Sequence, residues 1–327
     1  MEKTIRWGIL GPGNIARKFS IGLSALPDAE LTAVGSRSIE KAAEFARDFD
    51  IPNKHGSYVD LVNDYDVDVV YVATPHPFHR EHSILCLKAG KAVLCEKPLA
   101  INAQEVDEII RCAHETKKFL MEAMWTRFLP VMEKVREWLA EGAIGEVRML
   151  TADFGFRSGW DPEGRLLNPK LAGGALLDVG VYTVAMASMV FGQQPSRIAS
   201  MAHIGETGVD EQSAMLLGYD TGQLAILSCA VRTNTPQEAR IIGTEGAIHI
   251  PDFWHATSAN LNVSGKDTMQ IEIPFDGNGY NYEAAEVMRC LRAGKLESDI
   301  MPLDESLSIM ETMDKIRAQC GLRYPME

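Results

Sequence analysis

Residues 11–16, Gly-Pro-Gly-Asn-Ile-Ala, stand directly between an apolar run, Thr4–Leu10, and a helical pattern. Gly11 permits a tight turn, Gly13 lets the backbone approach a pyrophosphate without an intervening side chain, and Ala16 lets the helix pack closely on the strand. The helix N-terminus adds unpaired N–H groups that attract phosphate. A tight turn that binds nothing is the alternative, but the strand–turn–helix context favours a dinucleotide site. The residues expected to hold the dinucleotide at this turn are Gly11, Gly13, Asn14 and Ile15.

The first third of the chain alternates short apolar runs with helical patterns. The apolar runs are Thr4–Leu10, Leu31–Gly35, Val67–Ala73, Ala92–Cys95 and Phe119–Ala123, and helical spacing follows in stretches such as Ile39–Phe49 and Asn102–His114. Strands that are apolar on both faces and alternate with helices indicate a parallel sheet covered by helices on both sides. The prediction for this part is an α/β fold, a doubly wound Rossmann sheet.

The pattern changes after residue 124. The predicted elements are a helix at Val131–Glu141, a long strand at Glu146–Phe156, an apolar helix near Val181–Val190, short strands over 197–273 with turns at 220–222 and 243–246, and two helices, Tyr282–Arg292 and Leu303–Ala318. We therefore predict two domains. Residues 1–124 form an NAD(P)-binding Rossmann domain. Residues 125–327 form an α+β domain with a large, open, mainly antiparallel sheet for substrate binding and dimerisation, and its C-terminal helix can pack back on the Rossmann domain.

Composition narrows the classes of partner. The 327 residues carry a formal net charge of −13, and an acidic surface repels nucleic acid and anionic lipid. No apolar run approaches the roughly 18–20 residues of a membrane span, and the charged start does not resemble a signal peptide. The six cysteines are scattered without C-x-x-C pairs or nearby histidines, which is typical of buried free thiols in a reducing cytoplasm. We expect a cytoplasmic protein that acts on a small molecule and has no metal, nucleic-acid or membrane partner.

The tip of the second strand, Leu31–Gly35, distinguishes NAD from NADP. An NAD site places Asp or Glu there to bind the ribose 2′-hydroxyl, whereas this chain has Ser36, Arg37 and Ser38. An arginine can pair with a 2′-phosphate and stack on adenine, and Ser38 and Lys41 could add donors. The alternative is that Arg37 is a solvated loop charge. The tip predicts NADP(H) as the preferred cofactor, with NAD(H) possible.

The end of the third apolar run also faces the expected cofactor. Thr74 and Pro75 follow Val67–Ala73, and at this edge of an open α/β sheet the backbone passes beside the nicotinamide ribose. His79 follows at the start of the next helical pattern. We expect His79 either to cap that helix or to contact the cofactor, and we do not expect it to be catalytic.

Glu96, Lys97 and Pro98 end the next strand, at the same edge of the sheet. A residue before proline has an extended backbone, so we expect Lys97 to lie outside the following helix and to project its side chain from the end of the strand. Glu96 can bond the ribose or carboxamide region of the nicotinamide. A surface turn is the alternative for a lone Glu-Lys-Pro.

A second polar cluster lies in residues 173–182, Gly-Gly-Ala-Leu-Leu-Asp-Val-Gly-Val-Tyr. The glycine pair allows close approach of the backbone. Asp178 and Tyr182 are four residues apart, so they share one face once a helix begins. An N-cap role for Asp178 and a half-buried packing role for Tyr182 are the alternatives.

Together these segments resemble the glucose–fructose oxidoreductase, inositol dehydrogenase and MocA-like (Gfo/Idh/MocA) oxidoreductase family. That family joins a Rossmann domain to a larger open-sheet domain, and its marks are a G-x-G-x-x-[AG] turn, an E-K-P and a D-x-G-x-H, which occur here in order along the whole chain. Tyr182 stands in place of the usual histidine. With residues 122–128 and 251–254, that replacement looks like the dimeric dihydrodiol dehydrogenase subgroup, which includes NADP-dependent D-xylose dehydrogenases. The resemblance implies a hydride-transfer enzyme with Lys97, Asp178 and Tyr182 as catalytic residues.

The chemistry of these three residues is coherent with that reaction. Oxidation of a hydroxyl needs a base for its proton, and a tyrosine with an ordinary pKa of about 10 is a poor base unless an ammonium such as Lys97 stabilises the phenolate. Protonated Tyr182 would donate to a forming alkoxide in the reverse direction, Lys97 would polarise the carbonyl, and Asp178 would hold Lys97 or a substrate hydroxyl. The expected reaction transfers a hydride between nicotinamide C4 and a hydroxyl or carbonyl carbon of a sugar, polyol or trans-dihydrodiol.

Aromatic and basic residues near the start of the second domain are candidate substrate contacts. Trp125, Phe154, Phe156 and Trp160 would form an aromatic wall suited to a sugar's apolar face or an aromatic diol, with ordinary core packing as the alternative. Arg148 could bind substrate oxygens, although charges on strand surfaces are commoner. The expected substrate-binding residues are Trp125, Phe154 and Arg148.

Two further expectations concern assembly and the rival function. Residues 214–217 and 225–227 are apolar on both strand faces, too apolar for a solvated sheet, and two such faces packed together give an isologous dimer. The family resemblance likewise implies a homodimer or a dimer of dimers. The alternative function is a non-catalytic, NAD(P)-sensing regulatory protein on the same fold, which has no need of the Lys97, Asp178 and Tyr182 set.

Overall fold

The computed structural model of the chain describes residues 3–327, which form fourteen strands and nine α-helices. The strands are β1 (Ile5–Leu10), β2 (Ala29–Gly35), β3 (Asn53–His55), β4 (Val69–Val72), β5 (Ala92–Glu96), β6 (Leu120–Ala123), β7 (Val147–Gly155), β8 (Arg197–Ile204), β9 (Asp210–Gly218), β10 (Leu224–Ala230), β11 (Ala239–Gly243), β12 (Gly246–Ile250), β13 (Ser258–Val263) and β14 (Met269–Glu272). The helices are α1 (Asn14–Leu23), α2 (Ile39–Asp48), α3 (Tyr58–Val62), α4 (His79–Lys88), α5 (Ala103–Thr116), α6 (Pro130–Ala140), α7 (Val181–Phe191), α8 (Tyr280–Arg292) and α9 (Leu303–Cys320).

Spatial contacts divide the described chain into two compact units. Unit 1 comprises residues 3–100, Gln104–Trp125 and Asp276–Ser306. Unit 2 comprises Ile101–Ala103, Thr126–Phe275 and Leu307–Glu327. Helix α8 therefore belongs to the same unit as the N-terminal third of the chain, although most of unit 2 intervenes in the sequence.

Unit 1 is built on a parallel six-stranded sheet in the order β3-β2-β1-β4-β5-β6. Strands β4 and β5 are buried along their whole length, which is why they consist of nearly uninterrupted apolar residues. The direction of strand succession reverses between β1 and β4, and ligands of such sheets bind at the carboxyl ends beside this switch point. The predicted doubly wound Rossmann sheet is confirmed. Strand β3 was not predicted because its three polar residues carry no apolar pattern.

Helices α1 and α8 pack closely in the core of unit 1. A Cβ atom on Gly22 of α1 would lie 3.0 Å from Cβ of Tyr280 and 3.0 Å from the Asn281 nitrogen, so the absence of a side chain permits the approach. Beneath α1, the Phe19 ring stacks on Tyr71 of β4 with centroids 3.8 Å apart. These contacts fix α1, whose N-terminus follows the glycine turn, against the sheet.

Unit 2 contains an eight-stranded sheet in the order β14-β13-β12-β11-β7-β10-β9-β8. All neighbours are antiparallel except β7 and β10, which run parallel. The predicted hairpin at residues 220–222 joins β9 to β10, and the predicted turn at 243–246 joins β11 to β12. The predicted open, mainly antiparallel sheet is therefore confirmed, with one parallel pair that local patterns do not reveal.

A continuous apolar stretch forms the core helix of unit 2. The segment Pro169–Phe191 is long and apolar enough to cross a membrane, with a mean hydropathy of 1.6, but 78% of that window is buried inside the protein. From the sequence an apolar helix near Val181–Val190 was predicted within this segment, but no apolar run of membrane-spanning length. The burial of this segment is typical of a helix packed in a protein core. Within the segment, a π-helical turn, Leu176–Gly180, directly precedes α7.

Candidate functional site

The turn after β1 has the shape of a phosphate cradle. Gly11 has a φ of +93°, and a Cβ atom on it would lie 2.8 Å from Cγ2 of Thr74, so only glycine fits. A Cβ atom on Gly13 would meet no described residue within 4 Å. Gly13 is the N-cap residue of α1, and no side chain among the described residues caps this helix end with a hydrogen bond. An open backbone face at an uncapped helix N-terminus fits the pyrophosphate of a dinucleotide, which the backbone of Gly13, Asn14 and Ile15 would hold.

The serines at the tip of β2 shape the loop that carries Arg37. Ser38 is the N-cap of α2, where its hydroxyl accepts a hydrogen bond from the Lys41 nitrogen at 3.3 Å and donates to Glu40 at 2.6 Å. The buried Ser36 hydroxyl accepts from the Ser38 nitrogen at 3.2 Å. Both hydroxyls therefore have partners within the loop, and Arg37 is its exposed cation.

Two neutral side chains, Tyr58 and His82, lie near the Arg37 guanidinium. Burial raises the pKa of Tyr58, and Arg37 opposes that shift. Burial, with a smaller contribution from Arg37, lowers the pKa of His82 to about 4, so the imidazole is uncharged at neutral pH. His82 Nδ1 lies 2.9 Å from the Thr74 hydroxyl. The neighbours of Arg37 therefore leave its charge available to an anion such as a 2′-phosphate.

His79 connects two strand ends rather than capping α4. Its buried ring lies 2.8 Å through Nδ1 from the Pro98 carbonyl oxygen and 2.6 Å through Nε2 from the Thr74 carbonyl oxygen. Burial, the larger effect, lowers its pKa to about 4, so the neutral ring donates to one carbonyl at a time. The helix-cap expectation is wrong, because the 3₁₀ turn His76–Phe78 leads directly into α4. The ring instead ties together the loops that follow β4 and β5.

Glu96 belongs to a buried acidic pair that the sequence analysis did not find. Tyr71 of β4 donates a hydrogen bond to Glu96, and the carboxylate oxygens of fully buried Glu283 have no hydrogen-bond partner among the described residues. Burial, and then the Glu96 charge, raises the pKa of Glu283 well above its ordinary value. Burial and the neighbouring charge thus both favour the protonated form of Glu283. The sequence did contain a signal for this pair: Glu283 lies on the same face of α8 as Tyr280 and Val287, which are buried.

Lys97 and Trp125 both lie in unit 1. Lys97 is partly exposed and joins Pro98 through a cis peptide bond. Trp125 is 2% exposed and stacks on Tyr280, with ring centroids 4.5 Å apart and planes 5° from parallel. The structure thus gives Trp125 an extensive packing role beside the helix that carries Glu283.

Asp178 lies in the π-helical turn of unit 2 and pairs with Arg165. Its Oδ1 is 2.5 Å from Nη1 of Arg165, and its Oδ2 is 3.5 Å from Nη2. The N-cap alternative for Asp178 is wrong, because the backbone of Ala175 is already helical. π-Helical turns within α-helices occur frequently at functional sites. Arg165 was not predicted from the sequence, although it lies in the loop just before the Asp178 segment.

Tyr182 stands in an aromatic cluster made of residues from three parts of unit 2. Its ring is 8% exposed and lies 5.4 Å from that of Phe154. Phe154 also stacks on Trp254, with ring centroids 4.9 Å apart and planes 16° from parallel. The Trp254 indole donates to Gln237 Oε1 at 2.7 Å. Phe154 thus lies beside Tyr182, and Trp254, which was not among the expected substrate contacts, stacks on Phe154.

Other expected contacts are not brought to this cluster. Arg148 is exposed near the start of β7 and pairs with Glu146 at 2.7 Å, whereas Phe154 lies six residues further along the strand, a distance of about 20 Å at roughly 3.3 Å per residue. Trp160 is 50% exposed, with the Arg232 guanidinium 5.6 Å from its ring centroid. Of the four aromatic residues expected to form one wall, the structure joins Phe154 and Phe156, 6.4 Å apart.

Two family models match the chain in sequence. Residues 5–124 match the oxidoreductase family with an NAD-binding Rossmann fold, Gfo/Idh/MocA. Residues 132–249 match the C-terminal domain of the same Gfo/Idh/MocA family. The two matches follow each other along the chain, as the two parts of one family architecture.

Related proteins extend over the whole chain. A trans-1,2-dihydrobenzene-1,2-diol dehydrogenase from Xenopus tropicalis is 42% identical over 98% of this chain and 99% of its own length. The enzyme of that name from Homo sapiens is 39% identical over 99% of each. At this level of identity and coverage the relatives share both domains and their arrangement in sequence.

Solved structures show the same fold. A 3-ketoreductase from Actinomadura kijaniata in complex with NADP and TDP-benzene superposes with a TM-score of 0.86 at 26% identity, over 97% of this chain and 98% of that one. An aldose–aldose oxidoreductase from Caulobacter crescentus superposes with a TM-score of 0.90 at 24% identity, over 98% of each chain. The chain therefore belongs to the Gfo/Idh/MocA oxidoreductase family and is an NAD(P)-dependent dehydrogenase.

Proposed function

We propose that the chain is an NADP(H)-dependent oxidoreductase of a trans-dihydrodiol, sugar or polyol, with Tyr182 as the group that gives and takes the substrate proton. The observation that carries the proposal is the setting of Tyr182. A phenol stands against the Phe154–Trp254 wall, one helical turn after an ion-paired carboxylate, Asp178. Such a site combines an apolar surface for a ring with groups for hydroxyl chemistry.

The roles of the residues follow from their chemistry. When bound, the nicotinamide accepts or supplies the hydride. Tyr182 removes the hydroxyl proton during oxidation and returns it to the oxygen during reduction. Lys97 supplies the positive charge that stabilises the phenolate and polarises the carbonyl oxygen. Asp178, held by Arg165 at 2.5 Å, accepts a hydrogen bond from a neighbouring substrate hydroxyl and orients the ring.

The substrate class follows from the aromatic wall and from the relatives. The aromatic cluster that holds Tyr182, with Phe154 and Trp254, suits a planar cyclohexadiene ring or the apolar face of a sugar. The proteins that share about two-fifths of their residues with this chain are named for a dihydrobenzene diol. We therefore infer a cyclic vicinal diol or sugar as the substrate.

The cofactor proposal rests on the tip of β2. Arg37 lies where an NAD site places a carboxylate, and the surrounding Tyr58 and His82 are neutral. A guanidinium in a neutral setting favours the additional 2′-phosphate of NADP(H) over the hydroxyl of NAD(H). Arg37, Gly11, Gly13 and the residues at the ends of β4 and β5 all belong to unit 1. We therefore propose that unit 1 binds NADP(H).

We infer that a second copy of the chain covers the outer face of the unit 2 sheet. Leu216 is 44% exposed and Ile226 is 49% exposed, and the two are directly paired across β9 and β10. Met201, 80% exposed on β8, continues the same face beside Ala214. An apolar patch on a regular sheet surface is self-complementary across a twofold axis, which gives an isologous homodimer.

The test of the catalytic proposal is a substrate screen followed by three variants. Pentoses, hexoses and trans-dihydrodiols are offered with NADP⁺ and NAD⁺ in parallel, and reduced nicotinamide is followed by absorbance. With the best substrate, Tyr182→Phe keeps the ring and removes the proton, so turnover should fall by about 10²- to 10⁴-fold. Lys97→Met should cause a comparable loss, and the double variant should be little worse than either, because the two residues act on one proton.

The control for this test is Tyr65→Phe, since Tyr65 of unit 1 is 93% exposed and its hydroxyl has no part in the proposal. NADP(H) binding by Tyr182→Phe should equal that of the unmodified protein. Near-normal turnover by Tyr182→Phe, combined with a large loss in Asp178→Asn, would reassign the proton to Asp178. A protein that binds NADP(H) but turns over none of these substrates would contradict the proposed substrate class.

A further inference from the structure

Asp210 is a buried acid outside the site described above. It begins β9 and is fully buried, and its Oδ2 accepts hydrogen bonds from the Leu176 nitrogen and the Ser213 hydroxyl, both at 2.8 Å. Leu176 begins the π-helical turn that contains Asp178 and continues into the helix of Tyr182. A carboxylate from a separate strand thus binds the start of the segment that carries both side chains.

The backbone around Asp210 is shaped to admit this contact. Gly174 has a φ of +116°, and a Cβ atom on it would lie 2.1 Å from Asp210 Oδ1, so only glycine lets the carboxylate reach the helix start. The preceding carbonyl, that of Gly173, accepts a hydrogen bond from the Tyr324 hydroxyl at 3.0 Å. The Gly174 nitrogen donates to the Leu166 carbonyl at 2.8 Å. The turn before Asp178 is therefore fixed by contacts from three separate segments of unit 2.

The charges near Asp210 favour its ionised form, against the effect of burial. A carboxylate at a helix N-terminus is stabilised by the unpaired N–H groups and the helix dipole. Arg317, 5% exposed and paired with Glu327 at 2.9 Å, adds a positive charge. Arg317 also pairs with Asp314 at 2.7 Å. Among the described residues Tyr324 and Cys229 also interact with Asp210, and burial raises the pKa of each well above the ordinary range. Both are neutral at neutral pH, so Asp210 is the acid that titrates in this cluster.

We propose that Asp210 is a positioning residue of this oxidoreductase: its carboxylate, when ionised, fixes the start of the helix from which Asp178 and Tyr182 project. The proposal rests on the proposed function of Tyr182. Hydrogen bonds to an ionised carboxylate are about twice as strong as those to a neutral acceptor, so protonation of Asp210 loosens the segment. Burial, the largest effect, raises the pKa of Asp210 to about 7. Activity should therefore increase as the pH rises through this value.

Two variants test the proposal. Asp210→Asn keeps the shape and an acceptor but removes the charge, and we expect kcat to fall about 10- to 100-fold through misplacement of the catalytic side chains. The NADP(H) dissociation constant should be unchanged, and the ionisation near pH 7 should disappear from the kcat–pH profile. Ser213→Ala removes a hydrogen bond that lowers the pKa of Asp210. That ionisation should then move to higher pH, with kcat at alkaline pH preserved.

Asp64→Asn is the matched control, because Asp64 of unit 1 also accepts a backbone N–H, that of Asp66 at 2.9 Å, and pairs with His55. Its kcat and pH profile should be those of the unmodified protein. If Asp210→Asn does not fold, the Ser213→Ala profile decides. An unshifted Ser213→Ala profile, or full turnover by Asp210→Asn, overturns the positioning role while loss of turnover in Tyr182→Phe still stands. Retained turnover in Tyr182→Phe would instead overturn the proposed function itself.

Discussion

Replacing Arg37 by alanine should remove most of the preference for NADP(H) over NAD(H). A charge-assisted hydrogen bond contributes about 1.5–3 kcal/mol. Arg37 is exposed at the loop tip, where solvent screens its charge, so we take the lower half of that range, about 1.5–2 kcal/mol. At about 1.4 kcal/mol per factor of ten, the NADP(H) dissociation constant should rise by about 10- to 30-fold. NAD(H), which offers a hydroxyl instead of a phosphate, should bind almost as before.

The assay is equilibrium binding of both cofactors, by nicotinamide fluorescence or calorimetry, at several salt concentrations. The preference of the unmodified protein should shrink as salt rises, because the contact is electrostatic. Arg37→Lys should retain part of the preference, since an ammonium keeps the charge but loses the planar, bidentate geometry. Arg111→Ala is the control: it removes one positive charge from an exposed pair with Asp107 on α5 and should leave the preference intact. Equal dissociation constants for the two cofactors in the unmodified protein would refute the reasoning.

Two further predictions concern assembly and acid stability. Leu216→Lys should convert the dimer to a monomer in light scattering at micromolar concentration, whereas Ile21→Lys, at a 54% exposed position of α1, should not; a monomeric unmodified protein would contradict the interface. Burial by itself raises the pKa of Glu327, but hydrogen bonds from Arg317 and the Tyr324 nitrogen, with the Arg317 charge, together lower it to about 2. Glu327 therefore stabilises the fold above its unfolded pKa and loses that effect as the pH falls from about 4.5 to 2. After a discount for partial exposure, Glu327→Gln should lower the free energy of unfolding in urea by about 1–2 kcal/mol at pH 7 and leave it unchanged below pH 2. An equal loss at both pH values would refute the assignment.

The parts of the fold that were predictable are those in which a local pattern has one structural meaning. Strands buried on both faces, such as Val69–Val72, read as apolar runs, and the glycine turn before α1 has a positive φ at Gly11 that other residues rarely adopt. Hairpins with turn residues at 220–222 likewise follow from chemistry within a few residues. The buried strands and the glycine turn identify the Rossmann sheet of unit 1 from sequence alone, and the hairpin identifies a part of the unit 2 sheet.

The parts that were not predictable depend on contacts between distant segments. The parallel pairing of β7 with β10 joins residues 149 and 224, and no pattern within either strand selects the partner. Helix α8 has an ordinary amphipathic sequence, so its place on α1 appears only in three dimensions. The Glu96–Glu283 pair follows from that placement, because it combines the end of a strand with a helix that lies almost two hundred residues later in the sequence.

The pairing of Asp178 with Arg165 changes how its role is understood. The sequence suggested that Asp178 would hold Lys97 or a substrate hydroxyl, and the structure supplies a cation from its own unit, with Oδ1 2.5 Å from the guanidinium. Because Arg165 is 49% exposed while Asp178 is 7% exposed, the pair presents a buried carboxylate whose charge is already balanced. A balanced carboxylate orients a hydroxyl without competing for its proton. This arrangement agrees with the proposed role of Tyr182: if the phenol carries the proton, its removal, and not that of the nearby acid, should cause the larger loss of turnover.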